Sequence, residues 1–261
     1  MKRTLIIASV LFVVLSGVGA CQGETLKVGA TPVPHAEILE MLVPLLEQEG
    51  IALDIVEFTD YVRPNLALQE GELDANFFQH VPYLESFNLD AGTDLIALVG
   101  VHVEPLGVFS VKFGSLDELP DGATLAIPND ATNGGRALLL LATAGLVELD
   151  SKAGITPTIF DLTSNPRRIR FVELEAAQLS RSLPDVDAAV INGNYALQAN
   201  LNPAKDAIFL EGAESPYVNI IAVRAGDEAN AALLKLAEAL QSDKVRSFIL
   251  ETYGGAVVPV F

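Results

Sequence analysis

Short apolar runs alternate with segments of helical periodicity along most of this chain. Residues 26–30 and 53–58 are strand-length apolar runs, and the segments 38–46 and 62–70 that follow them have the spacing of helices. The pattern continues with strand-like segments at 95–101, 106–111, 124–127, 169–173, 188–192 and 219–224 and helical ones at 135–144, 228–240 and 244–253. Because strands that alternate with helices are typical of α/β domains, we predict an α/β fold with parallel sheets.

The length of the chain favours two lobes rather than one large core. At 261 residues it exceeds the ~100–200 residues of a typical single domain. The strands 106–111 and 219–224 are placed to cross between the lobes. We therefore expect lobe 1 to comprise residues 25–108 and 224–261, and lobe 2 to comprise residues 109–223. A ligand cleft is then expected at the carboxyl ends of the two sheets.

The amino terminus has the features of a bacterial lipoprotein signal. Lys2 and Arg3 precede an apolar run at 5–15, and small residues at 18–20 stand directly before Cys21. We predict a signal peptide at 1–20, a lipid on Cys21 and a short tether at 21–25; the alternative is an uncleaved membrane anchor. Cys21 is the only cysteine of the chain, so no internal disulfide is expected.

The acidic composition excludes some partners. The formal net charge is −18 at pH 7, and such a surface repels nucleic-acid phosphates and anionic lipid headgroups. We expect no nucleic-acid partner and membrane association only through the amino-terminal lipid.

Aromatic side chains are concentrated in residues 74–88, DANFFQHVPYLESFN, although the whole chain is only 7% aromatic and has no tryptophan. Phe77, Phe78, His80, Tyr83 and Phe87 all lie in this segment. Two interpretations are open: the rings fill the core beneath a buried helix, or they line a pocket for an apolar group.

A basic residue follows a glycine pair in the segment TNGGR, at the start of a predicted helix. Thr132 or Asn133 is a candidate cap, and the guanidinium of Arg136 beside a helix start suits a carboxylate ligand. The alternative is a surface arginine that balances nearby acidic residues.

Asparagines follow or open two of the predicted strands. Asn192 and Asn194 come directly after the apolar run at 188–191, and Asn219 opens the return strand. An amide side chain accepts from an ammonium and donates to a carboxylate. The alternative role of Asn-Gly-Asn is to form a turn.

Signatures of catalysis, cofactor binding and metal binding are missing from the sequence. His35, His80 and His102 are its only histidines, and none has metal-ligand spacing to another, even with Glu37 or Glu104 as partners. The chain contains no G-x-S-x-G, H-E-x-x-H, G-x-G-x-x-G or G-x-x-x-x-G-K-[ST] motif. We expect neither an enzyme, a metal site nor a cofactor, and any transport energy must come from another subunit.

Several segments resemble, in the same order, the NlpA-type lipoproteins, which are the methionine-binding subunits of a bacterial ABC importer. They are KVGATPVPHAEILE, EFTDYVRPNLALQEGELDANFFQHVPYL, IPNDATNGGRALLLL, FVELEAAQLSRSLPDVDAAVINGNYAL and SPYVNIIAVRAGD. The resemblance implies a two-lobed, type II-like periplasmic-binding-protein fold and a lipid-anchored monomer at the outer face of the cell membrane. It also implies delivery of methionine to a permease that a separate ATPase drives.

The resemblance also assigns roles to residues of the expected cleft. The methionine thioether would be enclosed by Tyr61, Phe77, Phe78, His80 and Tyr83. Arg136 would bind the carboxylate, and Asn192, Asn194 and Asn219 would complete the polar end. Gly134 and Val81 depart from the family pattern, which more often has an acidic residue and a lysine there. A receptor for another small amino acid or a methionine-containing peptide, and a surface adhesin, are the alternatives.

Overall fold

The structure is a computed structural model that describes residues 23–212 and 215–261. The predicted signal peptide at 1–20, the lipidation site Cys21 and the start of the tether lie outside the described residues. Within the described ranges, no helix combines the length and apolar character needed to cross a bilayer.

The described chain is a mixed α/β structure, which confirms the predicted class. Its strands, in chain order, are β1 (Glu24–Ala30), β2 (Ile51–Glu57), β3 (Ala75–His80), β4 (Ile96–Val103), β5 (Gly107–Phe109), β6 (Thr124–Pro128), β7 (Glu148–Leu149), β8 (Leu162–Ser164), β9 (Arg170–Leu174), β10 (Ala188–Ile191), β11 (Phe209–Leu210), β12 (Val218–Val223) and β13 (Val258–Pro259). Its helices are α1 (Glu37–Gln48), α2 (Arg63–Gln69), α3 (Val81–Ala91), α4 (Ala131–Thr143), α5 (Leu179–Ser182), α6 (Gly193–Gln198), α7 (Pro203–Asp206), α8 (Ala231–Leu240) and α9 (Asp243–Tyr253).

Two sheets organise these elements. A six-stranded sheet has the order β13-β4-β12-β3-β1-β2, and a five-stranded sheet has the order β11-β5-β10-β6-β9. The strands β7 and β8 form a small separate pair.

The sheets are mixed rather than parallel throughout, which corrects the sequence-based prediction. In the larger sheet β1 pairs in parallel with β2 and β3, whereas β12 is antiparallel to both β3 and β4. In the smaller sheet β10 is parallel to β6 but antiparallel to β5. The strands that run against their sheets are β5 and β12, which follow the two crossings between sheets, and the carboxyl-terminal β13, which is antiparallel to β4.

The chain passes from the larger sheet to the smaller one between β4 and β5 and returns between β11 and β12. The return strand β12 therefore belongs to the larger sheet, whereas the predicted boundary at 223/224 placed it in lobe 2. Likewise, Gly107 and Val108 of β5 belong to the smaller sheet rather than to lobe 1. The composition of a buried apolar strand does not indicate to which of two sheets it belongs. The sequence pattern could therefore not locate these boundaries.

Each sheet has its own apolar core. The buried face of α1 packs with α8 and α9 against the larger sheet, through Leu42, Leu236 and Ile249 among others. The carboxyl-terminal helices thus share a core with the amino-terminal strands and helix. In the second lobe, Leu138 and Leu141 of α4 pack with Leu125 of β6 and Val190 of β10.

One buried and one exposed leucine test this description of the first core. Leu42 on α1 is fully buried, whereas Leu234 on α8 is 47% exposed. We expect Leu42→Ala to lower the free energy of unfolding by about 2–5 kcal/mol, because it leaves a cavity. The control Leu234→Ala should stay within about 0.5 kcal/mol of the wild type. Urea denaturation of the ligand-free proteins measures both; equal losses would contradict the assigned core.

Candidate functional site

A cavity lies between the two sheets. The residues that line it are Tyr61, Phe78, Gln79, His80, Tyr83, Glu104, Asn133, Arg136, Asn192, Gly193, Asn194 and Asn219. The structure therefore brings every predicted ligand residue except Phe77 to one place. Residues distant in sequence meet here because the cleft is built from both lobes and from both crossings between them.

The aromatic segment is a strand followed by a helix, and its rings are divided between the core and the cavity. Phe77 is fully buried in the core of the first lobe, with its ring centroid 4.6 Å from that of His35. Its predicted ligand role is therefore wrong. β12 pairs Ile220 with Gln79 and Ile221 with Phe77, so Phe78 is an extra residue in the ladder, a β-bulge. The bulge and the alternation of strand side chains direct Phe78 to the cavity and its neighbour away.

The apolar end of the cavity is a set of rings that fix one another. The ring centroid of Tyr61 lies 5.8 Å from those of Phe78 and Tyr83 and 5.0 Å from that of Tyr195. Tyr83 also donates from its hydroxyl to the Tyr61 carbonyl at 3.0 Å. Three rings in edge and tilted contact form a preorganised wall for an apolar group.

His80 is held as a neutral imidazole at the boundary between the lobes. Its Nδ1 accepts from the Tyr83 backbone N–H at 3.1 Å and caps α3, so the ring proton is on Nε2. That nitrogen lies 3.2 Å from Oδ1 of Asn133, to which it donates. Burial, and then the charge of Arg136, lower the pKa of His80 to about 3. The ring is consequently uncharged at neutral pH and acts as a structural donor.

Arg136 lies in the second turn of α4 rather than at its first residue. The helix begins at Ala131, earlier than the predicted start, and its cap is Asp130, not Thr132 or Asn133. Asp130 is the last residue with extended backbone, and its carboxylate accepts from the Asn133 N–H at 2.8 Å. The earlier start turns the guanidinium of Arg136 toward the cleft.

The guanidinium of Arg136 is buried and held on three sides. Its Nε donates to Glu211 at 2.9 Å, and Nη2 donates to the other Glu211 oxygen and to the Glu104 carbonyl. The ring of Tyr217 stacks against it, with the guanidinium carbon 4.2 Å from the ring centroid. Nη1 makes no hydrogen bond with another described residue, so it remains a donor for a bound anion.

Two asparagines present polar atoms without partners to the cavity. Among the described residues, Oδ1 of Asn192 and Nδ2 of Asn194 are buried and make no hydrogen bond. Their other amide atoms are held: Asn192 donates to Asn133 at 2.8 Å, and Asn194 accepts from the Tyr61 hydroxyl at 2.5 Å. Since buried polar groups are almost always paired, these two atoms are one acceptor and one donor that are free to pair with a group bound in the cavity.

A carboxylate that the sequence analysis did not assign to the ligand also lines the cavity. Glu104 is 5% exposed, and its Oε1 lies 2.9 Å from Nε2 of His102 and 3.3 Å from Nε2 of His35. Burial raises the pKa of Glu104, and the nearby His35, Arg136 and Asn194 N–H offset part of this rise. Asn219 completes the group because its Oδ1 accepts from His35 Nε2 at 3.2 Å.

The donor atoms of His35, His102 and Glu104 lie within 4.8 Å of one another, the one such group among residues 23–212 and 215–261. Sequence spacing did not predict this cluster, because His102 lies in β4 and Glu104 directly after it, while His35 precedes α1. Nε2 of each ring lies within 3.3 Å of one carboxylate oxygen, and His102 donates a hydrogen bond to it at 2.9 Å. We assign no metal to them.

The sequence analysis missed the residues that hold the ligand groups in place. Glu104 and Glu211 stand in VHVEPLG and IFLEG, isolated acids in apolar segments at the two crossings between sheets. Their isolation among apolar residues was the one sequence feature that could have indicated a role in the site. Asn133 was considered only as a helix cap, and Tyr217 was not assigned a role. Nothing local in the sequence connects them with the cleft.

Two curated proteins are similar to this chain over nearly its whole length. The D-methionine-binding lipoprotein MetQ of Escherichia coli (strain K12) is 43% identical over 251 residues, which are 94% of this chain and 93% of the relative. The methionine-binding lipoprotein MetQ of Bacillus subtilis (strain 168) is 42% identical over 263 residues, 98% of this chain and 96% of the relative.

A solved structure shares the architecture. The nutrient binding protein from Burkholderia cenocepacia bound to methionine has a TM-score of 0.88 and 48% identity, and the match covers 90% of this chain and 100% of that one. The two-lobed periplasmic-binding-protein fold is thereby confirmed. The family model of the NlpA lipoproteins matches residues 26–261. This chain therefore belongs to the NlpA lipoprotein family.

Proposed function

We propose that this protein is the substrate-binding lipoprotein of an ABC importer and encloses methionine between its two lobes. The observation that carries the proposal is a closed cavity in which an aromatic wall faces a buried guanidinium and a buried carboxylate. A small zwitterion with an apolar tail is complementary to such a site. The relatives named above as methionine-binding proteins support the same conclusion.

The aromatic wall suits the thioether of methionine. Sulfur contacts with ring edges contribute about 0.3–1.5 kcal/mol each, and burial of the side chain contributes about 1.5–3 kcal/mol. Tyr61, Phe78 and Tyr83 provide several ring faces and edges within one small volume. These contacts supply affinity and also define the shape of the accepted side chain.

The opposite end supplies a partner for each charge of the amino acid. Arg136 Nη1 and Asn194 Nδ2 donate to the ligand carboxylate, while Glu104 and Asn192 Oδ1 accept from its ammonium. Burying either charge without partners would be costly. Because both charged groups are received inside the cavity, a free amino acid fits better than a peptide, whose ends would be blocked or remote.

Hydrogen bonds between the lobes explain how binding is signalled. Tyr61 donates to Asn194, His80 donates to Asn133, and Tyr195 donates to the Thr59 carbonyl at 3.1 Å. A ligand that contacts both lobes stabilises this closed arrangement over an open one. The permease then distinguishes loaded from empty receptor by its shape.

The remaining assignments complete the proposal. Cys21, outside the described residues, carries the lipid that holds the protein at the cell membrane, facing the cell exterior or periplasm. The protein acts as a monomer without a cofactor or metal, performs no catalysis, and passes its ligand to permease and ATPase subunits. Lobe 1 and lobe 2 close around the ligand, with the boundaries revised to the two crossings between sheets.

A titration with matched ligands tests the substrate class. After removal of endogenous ligand by denaturation and refolding, we expect calorimetry to show tight binding of methionine. Norleucine has a methylene in place of sulfur, so it should bind more weakly by about 0.3–1.5 kcal/mol for each lost sulfur–ring contact. Mass spectrometry of ligand released from the untreated protein should detect methionine. Absence of heat with every methionine stereoisomer would reject the proposal.

Replacement of the buried arginine tests the carboxylate site. We expect Arg136→Gln to weaken methionine binding by about 2 kcal/mol or more, or at least ~30-fold in Kd, because a buried charge partner is lost. The control is Arg168→Gln, since Arg168 is 74% exposed and pairs only with Asp121. Calorimetry of both variants decides the matter: unchanged affinity in Arg136→Gln would contradict the assigned role.

Adjacent phenylalanines separate the ligand wall from the core. We expect Phe78→Leu to raise the Kd for methionine about 5–30-fold, since a ring of the cavity is lost. Phe77→Leu should keep the affinity within about twofold but lower the free energy of unfolding by about 1–3 kcal/mol, because Phe77 packs in the core. Calorimetry and urea denaturation measure the two effects. A larger affinity loss in Phe77→Leu would reverse the correction made above.

A further inference from the structure

A pair of buried histidines converges on one oxygen of Glu104. Nε2 of His102 lies 2.9 Å from Oε1, and Nε2 of His35 lies 3.3 Å from the same atom. His35 is 1% exposed and His102 is fully buried. Neither ring lines the cavity, so any effect on a ligand must pass through the carboxylate.

The hydrogen-bond partners decide which nitrogen of each ring carries the proton. Thr31 and His35 Nδ1 are 2.7 Å apart, and His35 Nε2 faces only acceptors, namely Glu104 and Asn219 Oδ1. His35 therefore accepts from the Thr31 hydroxyl and donates from Nε2. His102 Nδ1 is buried with no partner among the described residues, whereas its Nε2 faces the carboxylate. His102 thus donates its N–H to Oε1, whereas His35 donates to Asn219 Oδ1 and its Nε2 N–H also lies 3.3 Å from Oε1.

The unpaired Nδ1 of His102 shows that apolar packing alone does not explain this residue. An unsatisfied buried polar atom costs about 1–3 kcal/mol, a cost that an apolar side chain at the same place would avoid. The ring retains one interaction in return, its hydrogen bond to Glu104.

We propose that His35 and His102 are positioning residues that orient the Glu104 carboxylate and keep it available to the α-ammonium of the ligand, so that they set the preference for a free amine. The proposal rests on the function proposed above, in which an amino acid occupies the cavity. Neither histidine contacts the ligand itself.

Two neutral donors suit this task better than a cation would. Burial lowers the pKa of His35 to about 4 and that of His102 to about 3, so both rings are uncharged near neutral pH. Neutral N–H groups stabilise the carboxylate without cancelling its charge, whereas a lysine or arginine there would compete with the ammonium. They occupy Oε1 and leave Oε2 for other contacts.

The surroundings of Oε2 agree with this division. A Cβ atom on Gly193, which lines the cavity, would lie 3.0 Å from Oε2 and 2.8 Å from the Glu104 Cβ. The missing side chain at position 193 therefore leaves the carboxylate room beside the cavity.

The pH dependence of binding follows from the groups around Glu104. The groups facing it are His35, His102, Arg136 and the Asn194 N–H, together with the more distant hydroxyls of Tyr61 and Tyr253. Burial raises the pKa of Glu104. Affinity for an ammonium is complete above that pKa and is lost as the pH falls through it. Removing one N–H donor raises the pKa further, so the loss begins at a higher pH.

A pair of ligands and a pair of variants test the proposal. The ligands are methionine and its deaminated analogue, which keeps the thioether and the carboxylate. His102→Phe removes the donor, whereas His102→Gln retains an N–H at a similar distance. Calorimetry between about pH 5 and 7 gives the Kd of each combination, and urea denaturation shows that each variant is folded.

We expect the wild-type protein to prefer methionine over the analogue by about 100-fold or more. His102→Phe should weaken methionine binding about 10-fold at pH 7. The pH at which the affinity for methionine falls on acidification should rise by about one unit, and the affinity for the analogue should stay within about twofold of wild type. His102→Gln should restore most of the preference. If His102→Phe does not fold, Thr31→Val provides the second test. It removes the hydroxyl that holds the His35 proton on Nε2 and should reduce the preference for methionine over the analogue about 3–5-fold.

If His102→Phe or Thr31→Val weakens the binding of both ligands equally, the proposal is overturned, because the replaced residue then has a structural role only. An unchanged preference would overturn it as well, and so would stoichiometric metal in the purified protein that His102→Gln removes. Failure of the proposed function is distinguishable, since it appears in the wild-type protein as an absence of methionine binding at every pH.

Discussion

The burial of Arg136 between the lobes is the interaction on which the site depends. A buried guanidinium is stable only when it is paired and hydrogen-bonded, and here Glu211, the Glu104 carbonyl and the Tyr217 ring meet that requirement. Glu104 lies at the first crossing between sheets and Glu211 precedes the return. The arginine of the second lobe therefore holds together both segments that connect the lobes, and it still presents one nitrogen to a ligand.

Much of the order of strands and helices was predictable, because local periodicity reports which residues alternate between faces, but β3 and α3 of the aromatic segment were not predicted. The position of Asn192, Asn194 and Asn219 at the cavity was also predictable, because they are side chains at strand ends, which open α/β folds use for binding. The predictions that were wrong concern features that depend on contacts between residues distant in sequence. The sheet that receives β12 and the opposite directions of Phe77 and Phe78 are set by strand pairing and a bulge, neither of which has a local signature.

Glu104 illustrates the same limit on the chemistry of the site. In sequence it is one acid in an acidic chain, and the histidine two residues before it lacks metal-ligand spacing to any other. Only the pairing of β4 with β12, which places His102 opposite Asn219, brings the carboxylate, two imidazoles and an amide together. The isolation of the acid between apolar residues was visible, but its partners were not.

The residues that suit an apolar tail and those that suit charged groups lie in different parts of the molecule, and these parts move by different amounts when the lobes close. The rings that suit a thioether belong to the first lobe, and Arg136 and the paired asparagines belong to the second. Glu104 and Asn219 adjoin the crossings, where the backbone must move least when lobes close about a hinge. In the function proposed above, the ammonium binds beside the hinge, whereas simultaneous contact of the carboxylate with Arg136 and of the tail with the rings requires both lobes. An amino acid that lacks either feature loses the contacts that favour the closed state, so the same arrangement that selects the ligand also makes closure depend on it.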